Sequence, residues 1–162
     1  MKINTVIVSL ITVTAVAGFR SSLRAEHAAS AQQAPAASSA APSQSVWDGV
    51  YTEEQAARGG ALYSQKCAQC HAADLSGGEM APALASSDFK SNWSGLSVDD
   101  LFERIKVSMP GDDPGTMSRQ ETADIVAFVF SKNGFPAGKS ELVREAEVLK
   151  QIMFEATKPD TK

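Results

Sequence analysis

Cys67, Cys70 and His71 are the residues whose types and spacing could do chemistry together, in the run Cys67-Ala68-Gln69-Cys70-His71. Residues three apart on a helical turn share one face, so both thiols can add to the two vinyl groups of a single porphyrin. The histidine that follows directly can then turn its imidazole onto the iron as proximal ligand. A C-x-x-C-H run is the attachment sequence for a c-type haem, and one covalently bound haem c is what this spacing predicts.

Other uses of the same residues fit less well. A thioredoxin-like redox pair sits beside a strand and requires no histidine, and no β-branched run adjoins this site. A structural zinc centre takes four protein ligands. The chain has 2 cysteines and 2 histidines, and the second histidine, His27, falls in a segment read below as a targeting sequence. A disulfide between Cys67 and Cys70 would close too small a loop to stabilise a domain much.

An iron that carries electrons rather than small ligands needs a sixth ligand. A thioether suits that place, because methionine opposite histidine raises the potential. Met80, Met109, Met117 and Met153 follow the motif. Met80 comes soon after His71, in the loop leaving the proximal side, and Met153 lies in the tail, which leaves Met109 and Met117. A lone methionine is usually core filler, so position relative to the motif has to carry the argument.

The elements that must position these residues read as helices. Thr52-Glu53-Glu54-Gln55 has the form of a capping box and opens a helix that runs through Gly59 and Tyr63 to Cys67. Ser97-Val98-Asp99-Asp100 caps a second helix, with Leu101 and Ile105, and Phe102 beside them, as its apolar stripe. Ser118-Arg119-Gln120-Glu121 is another capping box. It opens a third helix bearing Ile125, Val126, Phe128 and Val129, which Asn133-Gly134 ends. No stretch alternates with period two, so the fold class is all-α.

A chain of 162 residues has room for one domain, and its start subtracts from that. Met1-Lys2 followed by the apolar stretch Ile3 to Gly18 has the charged start and hydrophobic core of a secretory signal. Ala15-Val16-Ala17 and Ala29-Ser30-Ala31 are possible cleavage sites, and residues 1–31 are read as the signal. An uncleaved membrane anchor is the alternative, although the stretch is short for a span of about 20 residues. Residues 32–46 are rich in Ala, Ser, Gln and Pro and read as a linker. From Ser45 onward 12 Lys and Arg stand against 18 Asp and Glu, a net of −6, which excludes a nucleic-acid binder.

The motifs together resemble those of the class I bacterial c-type cytochromes, over about Trp47 to Pro136. Gly59 and Tyr63 are similar to the family's glycine and aromatic on the first helix, and Ile125 and Phe128 to the positions that cross them on the last. The resemblance implies a small cytochrome c fold in residues 47–136, with N- and C-terminal helices crossing around the haem. Met109, in Ser108-Met109-Pro110-Gly111, resembles the family's Met-Pro ligand segment, so the implied axial pair is His71 and Met109. Pro82 is similar to the proline whose carbonyl receives the proximal imidazole N–H, although Ala81 replaces the usual glycine before it. Trp93 resembles the tryptophan that reaches a haem propionate, and by its residue type alone it could equally be an apolar wall of the pocket.

Trp47-Asp48-Gly49-Val50-Tyr51-Thr52, Gly77-Gly78-Glu79-Met80-Ala81-Pro82 and Asn133-Gly134-Phe135-Pro136-Ala137-Gly138 are further similar to small cytochromes associated with periplasmic quinoprotein dehydrogenases. That likeness implies an exported, periplasmic electron carrier and not an enzyme, reduced by such a dehydrogenase and oxidised by a terminal oxidase or another cytochrome. A haem subunit tethered to a membrane respiratory complex is the alternative. A haem enzyme or gas-binding protein would need an open iron site. In residues 137–162, a C-terminal extension, Leu142, Ala146, Leu149 and Ile152 or Met153 recur at helical spacing. A tail helix packed on the haem domain is the expectation.

Overall fold

A computed structural model describes residues 44–160. The expected signal at residues 1–31 and most of the linker lie outside the described residues. Within them the order is β1 (Gln44–Ser45), a 3-10 turn (Val46–Asp48), α1 (Glu53–Lys66), α2 (Ala68–His71), α3 (Ser87–Trp93), α4 (Val98–Ser108), α5 (Arg119–Lys132), α6 (Ala146–Leu149) and β2 (Ile152–Met153). The all-α reading holds, and the strand content is one parallel pair, Gln44 with Ile152 and Ser45 with Met153. Among the described residues no helix is long and apolar enough to cross a membrane.

The helices begin where their caps place them. Ser97 and Ser118 each accept from the backbone N–H three residues on, while Asp100 and Glu121 reach back to the cap N–H, so both boxes close. At α1 only half of the expected box forms. Thr52 Oγ1 accepts from Gln55 N at 3.1 Å, but the Gln55 side chain is fully buried and turns inward, bonding the N–H and C=O of Leu142 at 2.6 and 2.9 Å.

The centre of the molecule is α5, whose Ala123, Ile125, Val126, Ala127, Val129 and Phe130 are all buried. Helix α1 crosses it at Gly59, where a Cβ would lie 1.8 Å from the carbonyl oxygen of Asp124 and 3.0 Å from Phe128 Cβ. Only a residue without a side chain lets the two backbones meet so closely. One turn on, the Tyr63 ring packs on Phe128 with centroids 5.2 Å apart. From α4, Val98, Leu101 and Phe102 are buried, whereas Ile105 stays half-buried at the edge of the core.

The expected tail helix is a correction. Helix survives only over Ala146–Leu149, and the rest of the tail is an irregular strap. Its backbone groups are taken by Gln55, by the β1 pairing, and by Leu96 O and Gly95 N, which bond Phe154 N and O at 2.9 Å each. A continuous helix would have to break those bonds. The strap does pack on the domain as expected, burying Leu142, Leu149, Ile152 and Phe154. The core therefore extends beyond residues 47–136 on both sides, since Val46 is fully buried as well.

Candidate haem site

Helix α1 ends at Lys66, and Cys67 caps it with its N–H on Tyr63 O at 2.9 Å. The chain keeps turning. Cys70 N and His71 N both bond Cys67 O, at 3.1 and 3.0 Å, so the two thiols and the imidazole leave one tight helical turn. Both cysteines are unpaired, Cys67 half-buried and Cys70 exposed. Burial pushes the Cys67 thiol up to about 11, the opposite of the lowered thiol used in disulfide exchange. Among the described residues no three His, Cys, Asp or Glu side chains are gathered to hold a metal ion.

His71 is buried, and its Nδ1 lies 2.8 Å from Pro82 O. With Nδ1 donating to that carbonyl, Nε2 is the ring nitrogen whose lone pair stays free. Pro82 is brought there by a loop that folds back on the turn. Gly77 N bonds His71 O at 3.0 Å, Gly78 N bonds Ala81 O at 2.9 Å, and Leu84 N bonds Leu75 O at 2.8 Å. Gly77 has φ +74, and a Cβ on it would lie 2.4 Å from Ala83 N, so a glycine is required for the loop to close. Ala81, where the resemblance has a glycine, is accommodated without positive φ.

At the edge of the core Cys67, Ala68, Leu84, Trp93, Ile105 and Met109 stay partly covered. Paired thiols on one turn, an imidazole with one nitrogen committed, and apolar side chains left half-covered form a donor set and lining that fit a covalently held haem. Trp93 ends α3, a helix not foreseen from the sequence, with its ring 6.4 Å from that of Phe89.

The methionines differ sharply in environment. Met117 is only 1% exposed, already enclosed by protein, whereas Met80 is 85% exposed. Met153 sits in β2, bridged to Ser97. Met109 caps the end of α4 with its N–H on Ile105 O at 3.0 Å, and its half-buried side chain packs at the core's edge. Its loop is closed by its own bonds, Gly115 N to Met109 O at 3.3 Å and Lys106 Nζ to Gly115 O at 2.8 Å.

Two contributors escaped the sequence reading. Asn133, read only as a helix stop, sends Nδ2 to Leu84 O and Val129 O, both at 2.8 Å, tying the end of α5 to the Pro82 loop. Tyr63, read only as a packing aromatic, places its hydroxyl 2.7 Å from Ala72 O and 3.3 Å from His71 O. Burial pushes that hydroxyl up to about 12, so it remains a donor. Its spacing from Cys67 marked the ring, but carbonyl acceptors carry no sequence signature.

Residues 54–129 match the family model described as cytochrome c oxidase, cbb3-type, subunit III, a stretch that contains Cys67, Cys70, His71 and Met109. No curated protein matches the sequence. Among solved structures, the crystal structure of the sulfane dehydrogenase SoxCD from Paracoccus pantotrophus is similar at 23% identity with a TM-score of 0.45, covering 70% of this chain and 66% of that one. The chain thus spans just under two thirds of the length of that relative. Residues 54–129, with the attachment turn inside them, thus match a c-type cytochrome domain, and that match implies a covalently bound haem c.

Proposed function

We propose that this cytochrome is an exported, periplasmic one-electron carrier in which His71 and Met109 are the axial iron ligands. A periplasmic quinoprotein-type dehydrogenase is the proposed donor, and a terminal oxidase or another cytochrome the acceptor. The contrast between Met109 and Met117 carries the ligand assignment. A ligand must line the space that the haem fills, and Met117 has protein on every side while Met109 does not. The haem supplies one reversible electron at an iron whose potential a thioether raises.

The chain's own groups do the rest. Cys67 and Cys70 fix the cofactor to the turn, Pro82 O orients His71, and the loop bonds between Met109 and Gly115 hold the thioether against replacement. Two fixed ligands leave little room for a substrate at the iron, which supports a carrier. Export is supported by Met1-Lys2 and the apolar stretch Ile3 to Gly18, and residues 1–31 remain the proposed signal.

The donor rests on the likeness of the segments at Trp47, Gly77 and Asn133. An acidic surface should meet a basic rim on its partner, with charge setting the encounter rate more than the affinity. The description of the matched family favours a second reading, a haem subunit tethered to a membrane oxidase. Stopped-flow mixing of the oxidised protein with substrate-charged dehydrogenases tests the choice. Fast reduction by such an enzyme supports the proposal, and fast reduction by a quinol-oxidising complex alone transfers it to the respiratory chain.

A further inference from the structure

Ala72 follows the attachment turn directly and has φ 63 and ψ 156, a region that only glycine occupies without strain. Leu75, three residues later, has φ 63 and is fully buried. Neither is a glycine, so something must hold the backbone there. Ala72 O is held twice, by Tyr63 Oη at 2.7 Å and by Leu75 N at 3.2 Å. His71 O accepts from Gly77 N at 3.0 Å and lies 3.3 Å from the same hydroxyl. One hydroxyl carries one proton, and the shorter contact makes Ala72 O its acceptor, with His71 O as the second choice.

The tyrosine is well placed for a restraint. Its ring is 1% exposed and is pinned against Phe128 of α5, so the hydroxyl cannot follow the turn if the turn moves. We propose that the Tyr63 hydroxyl is a positioning group for the proximal iron ligand, holding Ala72 in its strained conformation and so keeping the His71 ring on Pro82 O. The inference rests on the reading of His71 as an iron ligand. It makes the α1–α5 crossing a support of ligand geometry as well as of stability. If the turn relaxes, the imidazole loses its bond to Pro82, becomes a weaker donor, and leaves the ferric state less favoured.

Tyr63→Phe keeps the ring and removes the proton, and the test uses the full haem-loaded protein. The expected result is a covalently loaded, low-spin protein whose midpoint potential rises and whose haem-methyl paramagnetic NMR shifts change their spread, reporting a turned imidazole. Adding Ala72→Gly, which removes the strain, should return both readouts most of the way to the wild-type values. A lowered melting temperature with potential and NMR pattern unchanged would make the hydroxyl purely structural and overturn the proposal, as would no rescue by Ala72→Gly. Should Tyr63→Phe fail to accumulate, accumulation of the double variant supports the proposal and its failure overturns it. A wild-type protein lacking histidine-ligated low-spin spectra would instead refute the ligand reading, before any variant is compared.

Discussion

The crossing of α1 and α5 and the strap that runs from Gly138 to Ala156 both close the core, the first with side chains and the second largely with backbone bonds. At the crossing, Gly59 lets the helices touch and Tyr63 meets Phe128. In the strap, Gln55 holds Leu142, Ser45 pairs with Met153, Leu96 and Gly95 hold Phe154, and Trp47 Nε1 donates to Glu155 O at 3.0 Å. Among the strap's buried side chains Phe154 is the aromatic one, with its ring 5.2 Å from Phe135, 5.9 Å from Phe130 and 6.0 Å from Phe89. A side-chain interface therefore fails abruptly at one atom, whereas a backbone-held strap fails bond by bond.

The largest effect is expected at the crossing itself. A Cβ on Gly59 already overlaps a backbone oxygen, so Gly59→Leu must force the helices apart. We expect a cost above about 5 kcal/mol, the extreme of single substitutions, seen as loss of cooperative unfolding. Next comes the aromatic pair. Phe154→Ala, at a fully buried site, should cost about 3–5 kcal/mol. Phe128→Ala should cost less, about 1–2 kcal/mol, because its ring is only partly buried. Denaturant titration of both variants measures the order, and the reverse order would mean that the strap is an ornament on the crossing.

Gln55→Ala should cost about 1–3 kcal/mol, less than Phe154→Ala, because it leaves the N–H and C=O of Leu142 without partners. It should also raise amide exchange in the strap while leaving α5 protected. A pair of acids gives the smallest and sharpest contrast. Asp99, which faces Lys150 of the strap along with Glu103, Arg119 and Asp100, has its pKa raised from 3.8, chiefly by burial. Glu121, capping α5 and facing Lys66 of α1, has its pKa lowered from 4.5, chiefly by the Ser118 N–H. The signs are therefore opposite. Asp99 contributes stability that is complete below 3.8 and lost as pH rises through its raised folded value. Glu121 contributes stability present above 4.5 and lost as pH falls through its depressed folded value. At about pH 7, Asp99→Asn should raise the melting temperature and Glu121→Gln should lower it, and both differences should shrink as the pH falls and each carboxylate is protonated.

The crossing was legible in the sequence through the family resemblance, which is carried by residue types at fixed helical spacing, a glycine four residues before an aromatic, with caps at Thr52, Ser97 and Ser118. The attachment turn was legible from its own spacing. The strap was not. Leu142, Leu149 and Ile152 do recur at helical spacing, and all are buried, but the partners that override a helix are backbone groups of Gln44, Ser45, Gly95 and Leu96. The inward turn of Gln55 was hidden by a capping-box pattern that its neighbours satisfy only in part. Helix α3 is short, and its Ser86 cap, which accepts from Phe89 N at 3.0 Å, lies among several serines that look alike.

The absorption spectrum of the oxidised protein tests the iron's axial pair most directly. A weak long-wavelength sulfur-to-iron band is expected in the wild-type protein and in Met117→Leu, together with a covalent haem that survives acid-acetone extraction. Met109→Ala should lose the band, open the iron to small ligands and lower the potential. Loss of the band in Met117→Leu with retention in Met109→Ala would contradict the account.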